Sequence, residues 1–157
     1  MKLTTQLLTA LVFSGLGVLS MQSQSTSNNE PAQIVHYNDN VQAPLSAKEL
    51  GQIQEAFGEF ADDAVLNNPQ RLKDVKNILR NRVVIEHIPN KDLSSINSLN
   101  SVSVFNIYNP NLQRDITFNA TEFNPLKYYF DFSYSKEQLF WIDNTEYIIR
   151  IKHQHQN

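Results

Sequence analysis

The hydrophobic period of this chain changes once, at Val83, and that change bounds the fold more tightly than any other feature. Upstream, Leu50, Ile53, Phe57, Phe60 and Ala64 recur at alternating steps of three and four, which aligns them on one stripe of a helix with about 3.6 residues per turn. Leu72, Val75, Ile78 and Leu79 share a second such face. Downstream the apolar residues alternate with polar ones, the period of a strand with one buried side. Helices grouped ahead of antiparallel strands define an α+β domain, and a chain of 157 residues has room for one core of this kind.

The helix boundaries are written locally. Ser46 stands where an N-cap is needed, Glu49 closes a capping box three residues on, and Leu45 and Leu50 occupy the two positions of a hydrophobic staple. Asn68-Pro69 starts the second helix, with an Asn cap and Pro in the first turn, where a missing N–H costs nothing. This helix is expected to run to about Arg82 and to form an antiparallel or angled hairpin with the first. The first helix carries Glu49, Glu55, Glu59, Asp62 and Asp63 against Lys48, and the second carries Arg71, Lys73, Lys76, Arg80 and Arg82 against Asp74, so a net −4 faces a net +4.

Strands are expected at 83–88, 102–108 and, briefly, 116–118. The run 126–134 is the clearest of all, with Leu126, Tyr128, Phe130, Phe132 and Tyr134 alternating with more polar neighbours. Runs at 139–142 and 147–151 flank a turn at Asp143-Asn144-Thr145. The expected architecture is therefore an N-terminal helical hairpin packed on a mostly antiparallel β-sheet that ends in a three-strand meander. The domain spans 45–152, with a polar tail at 153–157.

What precedes the domain reads as an export leader. Lys2 supplies the positive start, Leu7–Leu19 is an apolar run of thirteen residues, and a Ser/Gln/Asn spacer follows. Such a run is shorter than the ~20 residues needed to cross a bilayer. We expect a signal peptide at 1–23, cut between 20 and 25, a flexible linker or arm at 24–44, and no stable membrane span after cleavage. The destination is then secreted or periplasmic. The chain has no cysteine, so the exported domain stands without disulfides, and thiolate metal sites and cysteine nucleophiles are excluded. The stretches Asn68–Lys73 through Arg80–Val83, Phe123–Tyr128 and Ile142–Tyr147 resemble uncharacterised exported proteins of flavobacterial type. That resemblance implies export and a bacterial origin and carries no known activity.

Chemistry is sparser. Lys73, Lys76 and Arg80 make a basic stripe on the second helix that would suit a phosphate or an acidic polymer. A net charge of −3 and the lack of interleaved aromatic residues speak against nucleic acid. If 126–134 turns Leu126, Tyr128, Phe130, Phe132 and Tyr134 towards the helices, Tyr129 and Asp131 are left on the other face. With Trp141 on the neighbouring strand they form a strip that would stack a sugar or seat a peptide. His153 and His155, with Glu86 and His87 distant in sequence, make too few ligands for a metal. Asp62, Asp63, Asp115, Glu122 and Asp131 are carboxylates without any element that pairs two of them, and no nucleophile elbow or phosphate loop is present. The expectation is a non-catalytic exported module binding an unknown protein or carbohydrate ligand, with no cofactor and no metal. A small hydrolase of envelope polymers and a structural subunit of a surface assembly are the alternatives.

Overall fold

The computed structural model describes residues 37–153. The leader, residues 24–36 of the arm and the tail beyond His153, including His155, lie outside the described residues. The described chain is α+β, with a few helices and a four-stranded mixed sheet.

Helix α1 (Ala47–Phe57) starts as its sequence dictates. The Ser46 side chain accepts from the Glu49 amide, and the Glu49 carboxylate accepts from the Ser46 amide. Gly58 ends the helix at φ +56, a left-handed backbone that glycine adopts without strain. A 3₁₀ turn (Gly58–Phe60) and a π turn (Asp62–Leu66) lead to Asn68, whose side chain accepts from the Arg71 amide at 3.0 Å and so caps α2 (Pro69–Asn77). A second π turn, Ile78–Arg82, carries the chain into the sheet. Ile53, Ala56, Phe57, Ala61, Val65 and Val75 form a core on the helical side, with Leu72, Ile78 and Leu79 packed against it.

The strands are β1 (Val83–His87), β2 (Asn97–Ser98), β3 (Gln138–Trp141) and β4 (Tyr147–Ile151), in the order β1-β4-β3-β2. β4 runs antiparallel to both β1 and β3, and the two residues of β2 run parallel to β3. As a central strand β4 is covered on both faces, which is why Ile148, Ile149 and Ile151 are all buried although they do not alternate. Arg150 lies among them because Glu86 and Glu137 pair with it from β1 and from the residue before β3. Asn144 turns the β3–β4 hairpin at φ +60, the left-handed conformation that asparagine tolerates.

The run 126–134 departs from its expected structure. It is no strand of the sheet, and the three-strand meander reduces to the β3–β4 hairpin. Pro125–Lys127 is a 3₁₀ turn, and the chain then makes a single antiparallel bridge, Val104 to Tyr128, which is also all the ladder that 102–108 contains. Beyond it the amides of Phe130 and Phe132 turn back to the carbonyls two residues earlier, as in tight three-residue turns. Such turns keep the alternation of side chains without a neighbouring strand, so the period is preserved while the ladder is not. Residues 116–118 likewise form no strand.

This segment is the middle layer of the fold. Leu126 packs into the helical core, whereas Phe123, Tyr128 and Phe130 pack with Ile142, Ile149 and Ile151 on the sheet side. The alternating face thus divides between the two cores and does not turn as a whole towards the helices. Asn124 pins the layer. It is 1% exposed, accepts from the Leu126 amide at 3.1 Å, and donates to the Gln52 carbonyl and the Glu55 carboxylate of α1, both at 2.9 Å. Replacing it with alanine removes three hydrogen bonds at once, one of them to the buried Leu126 amide. Asn124→Ala is expected to lower unfolding free energy by about 2–4 kcal/mol in a urea titration, whereas a loss below about 1 kcal/mol would show the layer held by packing alone.

Candidate functional site

The middle layer stops short of α2 and leaves a cleft of about 530 Å³ between them. Its lining is mostly apolar. Phe57 from α1, Phe105, Tyr128, Tyr129, Phe130 and Phe132 provide the rings, and Val75, Ile78 and Leu126 fill in between. The rings brace one another: Phe105 meets Phe57 and Tyr129 edge to face at 5.8 and 5.0 Å, and Phe130 meets Phe132 at 6.0 Å. Edge-to-face contact directs ring positions as well as burying area, so the lining is held in shape by its own members.

Polar groups reach the cleft from two parts of the chain. Tyr37 donates to the Asp74 carboxylate at 2.5 Å, and the Gln70 amide donates to the Tyr37 hydroxyl at 2.9 Å and to Asp74 at 3.0 Å. Burial, then the hydrogen bond to Asp74, pushes the Tyr37 hydroxyl above its ordinary pKa, so it remains a donor. The other contribution is Arg82, 7% exposed at the junction of the helices and the sheet. It donates to the Phe132 carbonyl at 2.7 Å and to the Lys152 carbonyl at 3.1 and 3.2 Å, with its guanidinium over the Phe132 ring at 5.3 Å. Burial pulls its pKa down, opposed by the field of Asp131.

The structure separates the residues that the sequence grouped. Tyr129 lines the cleft, 49% exposed. Asp131 does not; it accepts from the Ser133 hydroxyl and amide in its own turn, which lowers its carboxyl pKa. Trp141 belongs to the hairpin, donating its indole N–H to the Thr145 carbonyl at 2.8 Å, and is not among the cleft residues. The basic stripe of α2 is engaged with the segment before α1. Lys73 stands over the Tyr37 ring at 4.1 Å, and Lys76 is buried and donates to the Ala43 carbonyl at 2.9 Å. Arg80 donates to the carbonyls of Asn40, Ala43 and Pro44 and to the Glu49 carboxylate, at 2.5 and 2.8 Å for the latter. These three cations hold residues 37–44 onto the helices. Lacking any sign of where that arm docks, the sequence could not distinguish such a role from a ligand surface.

The carboxylates settle in the same way. Glu55 and Asp115 approach each other through Lys127, whose ammonium lies 2.7 Å from one and 2.5 Å from the other. Burial opposes the charge on Lys127, but hydrogen bonds to the two acids outweigh it and raise its pKa. For Glu55, burial is outweighed by Asn124 and Lys127, so its pKa falls. Glu86 pairs with Arg150, and His87 meets Glu146 at 3.1 Å. Among the described residues no group of three or more His, Asp or Glu is placed to hold a metal, and no helix is long and apolar enough to cross a membrane. Tyr37, Phe105 and Arg82 are among the cleft residues that the sequence did not single out. Arg82 carried one signal, a cation at the end of a helix whose next residue begins a strand.

Glu49 reports on the docking. The Arg80 hydrogen bond, against burial and with help from Ser46, holds its carboxyl at about 2 instead of 4.5. A lowered folded-state pKa contributes stability that is complete above the unfolded value and disappears as pH falls towards the folded one. The stability gap between wild type and Glu49→Gln is therefore expected to be constant above about pH 5.5 and to shrink steadily between about pH 4.5 and 2 in urea titrations; a gap independent of pH would show that the carboxylate is not the group holding Arg80. Comparison with protein-family models, with curated proteins and with solved structures finds no match for this chain.

Proposed function

We propose that this protein is an exported, non-catalytic binding module whose ligand is a small apolar molecule received by the cleft between α2 and the middle layer. The observation that carries the reading is the cleft itself. Its volume of about 530 Å³ falls in the range of small-molecule sites, and its lining has the usual pattern of many apolar rings with few convergent polar groups. A sugar or an extended peptide needs a denser set of donors and acceptors: of the polar lining, Tyr37, Gln70 and Asp74 bond one another, Asn77 bonds Asn81 and Arg82 bonds main-chain carbonyls, which leaves chiefly Arg71, Ser133 and the Tyr129 hydroxyl. Lys73, Lys76 and Arg80 are engaged within the protein, and the carboxylates of Glu55 and Asp115 are both taken up by the ammonium of Lys127.

Export rests on the sequence: a short apolar run after Lys2, a polar spacer and a body without cysteine. The resemblance to exported flavobacterial proteins agrees with it, and the proposed location is the periplasm or the medium. In this reading the α1–α2 pair acts as a helical hairpin that roofs the aromatic layer, and the sheet with its C-terminal hairpin serves as the base. Expressed with its leader in a Gram-negative host, the protein is expected in the periplasm or medium with an N-terminus between residues 21 and 26. A full-length chain retained in the cytoplasm would refute the export reading.

The cleft is tested with the neutral dye N-phenyl-1-naphthylamine, whose fluorescence rises on leaving water. Saturable binding at one site is expected. Tyr129→Ala should weaken it about three- to tenfold, the worth of one aromatic contact, while the melting temperature moves by less than about 4 °C because that ring is half-exposed. Ser133→Trp, a substitution of an exposed residue in the lining, should block it. Failure of the dye to bind, or an affinity unchanged in both variants, would remove the cleft as the site.

A further inference from the structure

Resting on the cleft as the binding site, one residue narrows what the ligand must be. Arg82 is more than nine-tenths buried, and among the described residues no carboxylate lies within ion-pair distance of it. Arg80 has Glu49, and Arg150 has Glu86 and Glu137. Arg114, half-buried, is held by main-chain carbonyls, those of Leu99 and Val102, and by the face of Tyr128 at 5.2 Å, but it is less enclosed than Arg82. Arg82 likewise has two main-chain carbonyls and the face of Phe132. These satisfy hydrogen bonds but do not neutralise a charge, and a buried cation without a counter-ion is costly. Asp131, whose field reaches it, is exposed, lies beyond ion-pair distance and accepts both Ser133 bonds on one carboxylate oxygen.

The same residue lines an apolar aromatic cleft that otherwise contains no free cation except Arg71, which is exposed to solvent. We infer that the ligand is an apolar carboxylate, its hydrocarbon or aromatic body among Phe105, Tyr129, Phe130 and Phe132 and its carboxylate serving as the counter-ion that Arg82 lacks. A guanidinium suits this role because its planar fork can donate to a carboxylate while still donating to carbonyls on its other edge. The apolar walls add to the effect, since an ion pair away from water is screened less than one at the surface.

The test uses the whole mature protein with N-phenyl-1-naphthylamine bound, and two competitors with the same ring body, 2-naphthoate and 2-naphthylmethanol. The acid is expected to displace the dye at a concentration about tenfold or more below that of the alcohol, a ratio typical of a charge-assisted bond. Arg82→Met should abolish that preference, read as the ratio of the two competitors' displacement concentrations in the variant, and a ratio kept at the wild-type value would overturn the proposal; Arg71→Gln should leave the preference intact. Equal displacement by acid and alcohol from wild-type protein would overturn the proposal without any variant, even if Arg82→Met fails to fold. A preference that vanishes in Arg71→Gln would also overturn it, placing the carboxylate at the rim. If the neutral dye itself does not bind, the cleft reading falls first and the ligand class with it.

Discussion

The Glu49–Arg80 pair is the contact on which the helical half of this protein depends. One carboxylate performs two tasks: it closes the capping box at the start of α1 and it receives the guanidinium from the turn that follows α2. The same guanidinium collects three carbonyls of the segment 40–44. A helix start, a helix end and a docked strap thus meet at a single ion pair whose side chains are mostly buried. A pair of this kind gains over a surface one because little water screens it and because its remaining donors are all satisfied.

From that junction the cleft follows. Holding residues 37–44 on α2 places Tyr37 beside Asp74 and Gln70, and this hydrogen-bonded group borders the space between α2 and the middle layer. On the other side, Asn124 and Lys127 fix the start of the middle layer to α1 through Gln52 and Glu55. Both walls are therefore tied to the helices by polar contacts, while the space between is left to rings that touch one another. Such an arrangement keeps an apolar cleft open: the walls cannot collapse together without giving up these hydrogen bonds.

The sequence was most informative where the determinant is local. Ser46 with Glu49 and Asn68 with Pro69 fix helix starts through bonds within four residues, and the structure has both. The strands 83–87, 138–141 and 147–151 follow from apolar runs bounded by turn residues, with Asn144 in the left-handed conformation its side chain tolerates. The run 126–134 was misread because alternation reports only which side chains are buried. Tyr128, Phe130 and Phe132 do face inward while Tyr129 and Asp131 face out, yet their amides turn to nearby carbonyls and not to a strand.

The site was less legible for the same reason. Tyr129 was recognisable as an aromatic residue on the outward side of an alternating run, and it does line the cleft. Lys73, Lys76 and Arg80 have the composition of a binding stripe, and only the path of residues 37–44 shows that they bind this chain instead. Arg82 looks like one more cation of a basic helix until the sheet encloses it. By itself the sequence determined the α+β order, the helix caps, the strand-forming runs and which faces turn inward, because each of these is set by neighbours within a few residues. Only the tertiary structure decided which charges are consumed, that Arg82 is enclosed beside the cleft without a carboxylate partner among the described residues, and where a cleft remains, because those depend on segments separated by tens of residues meeting in space.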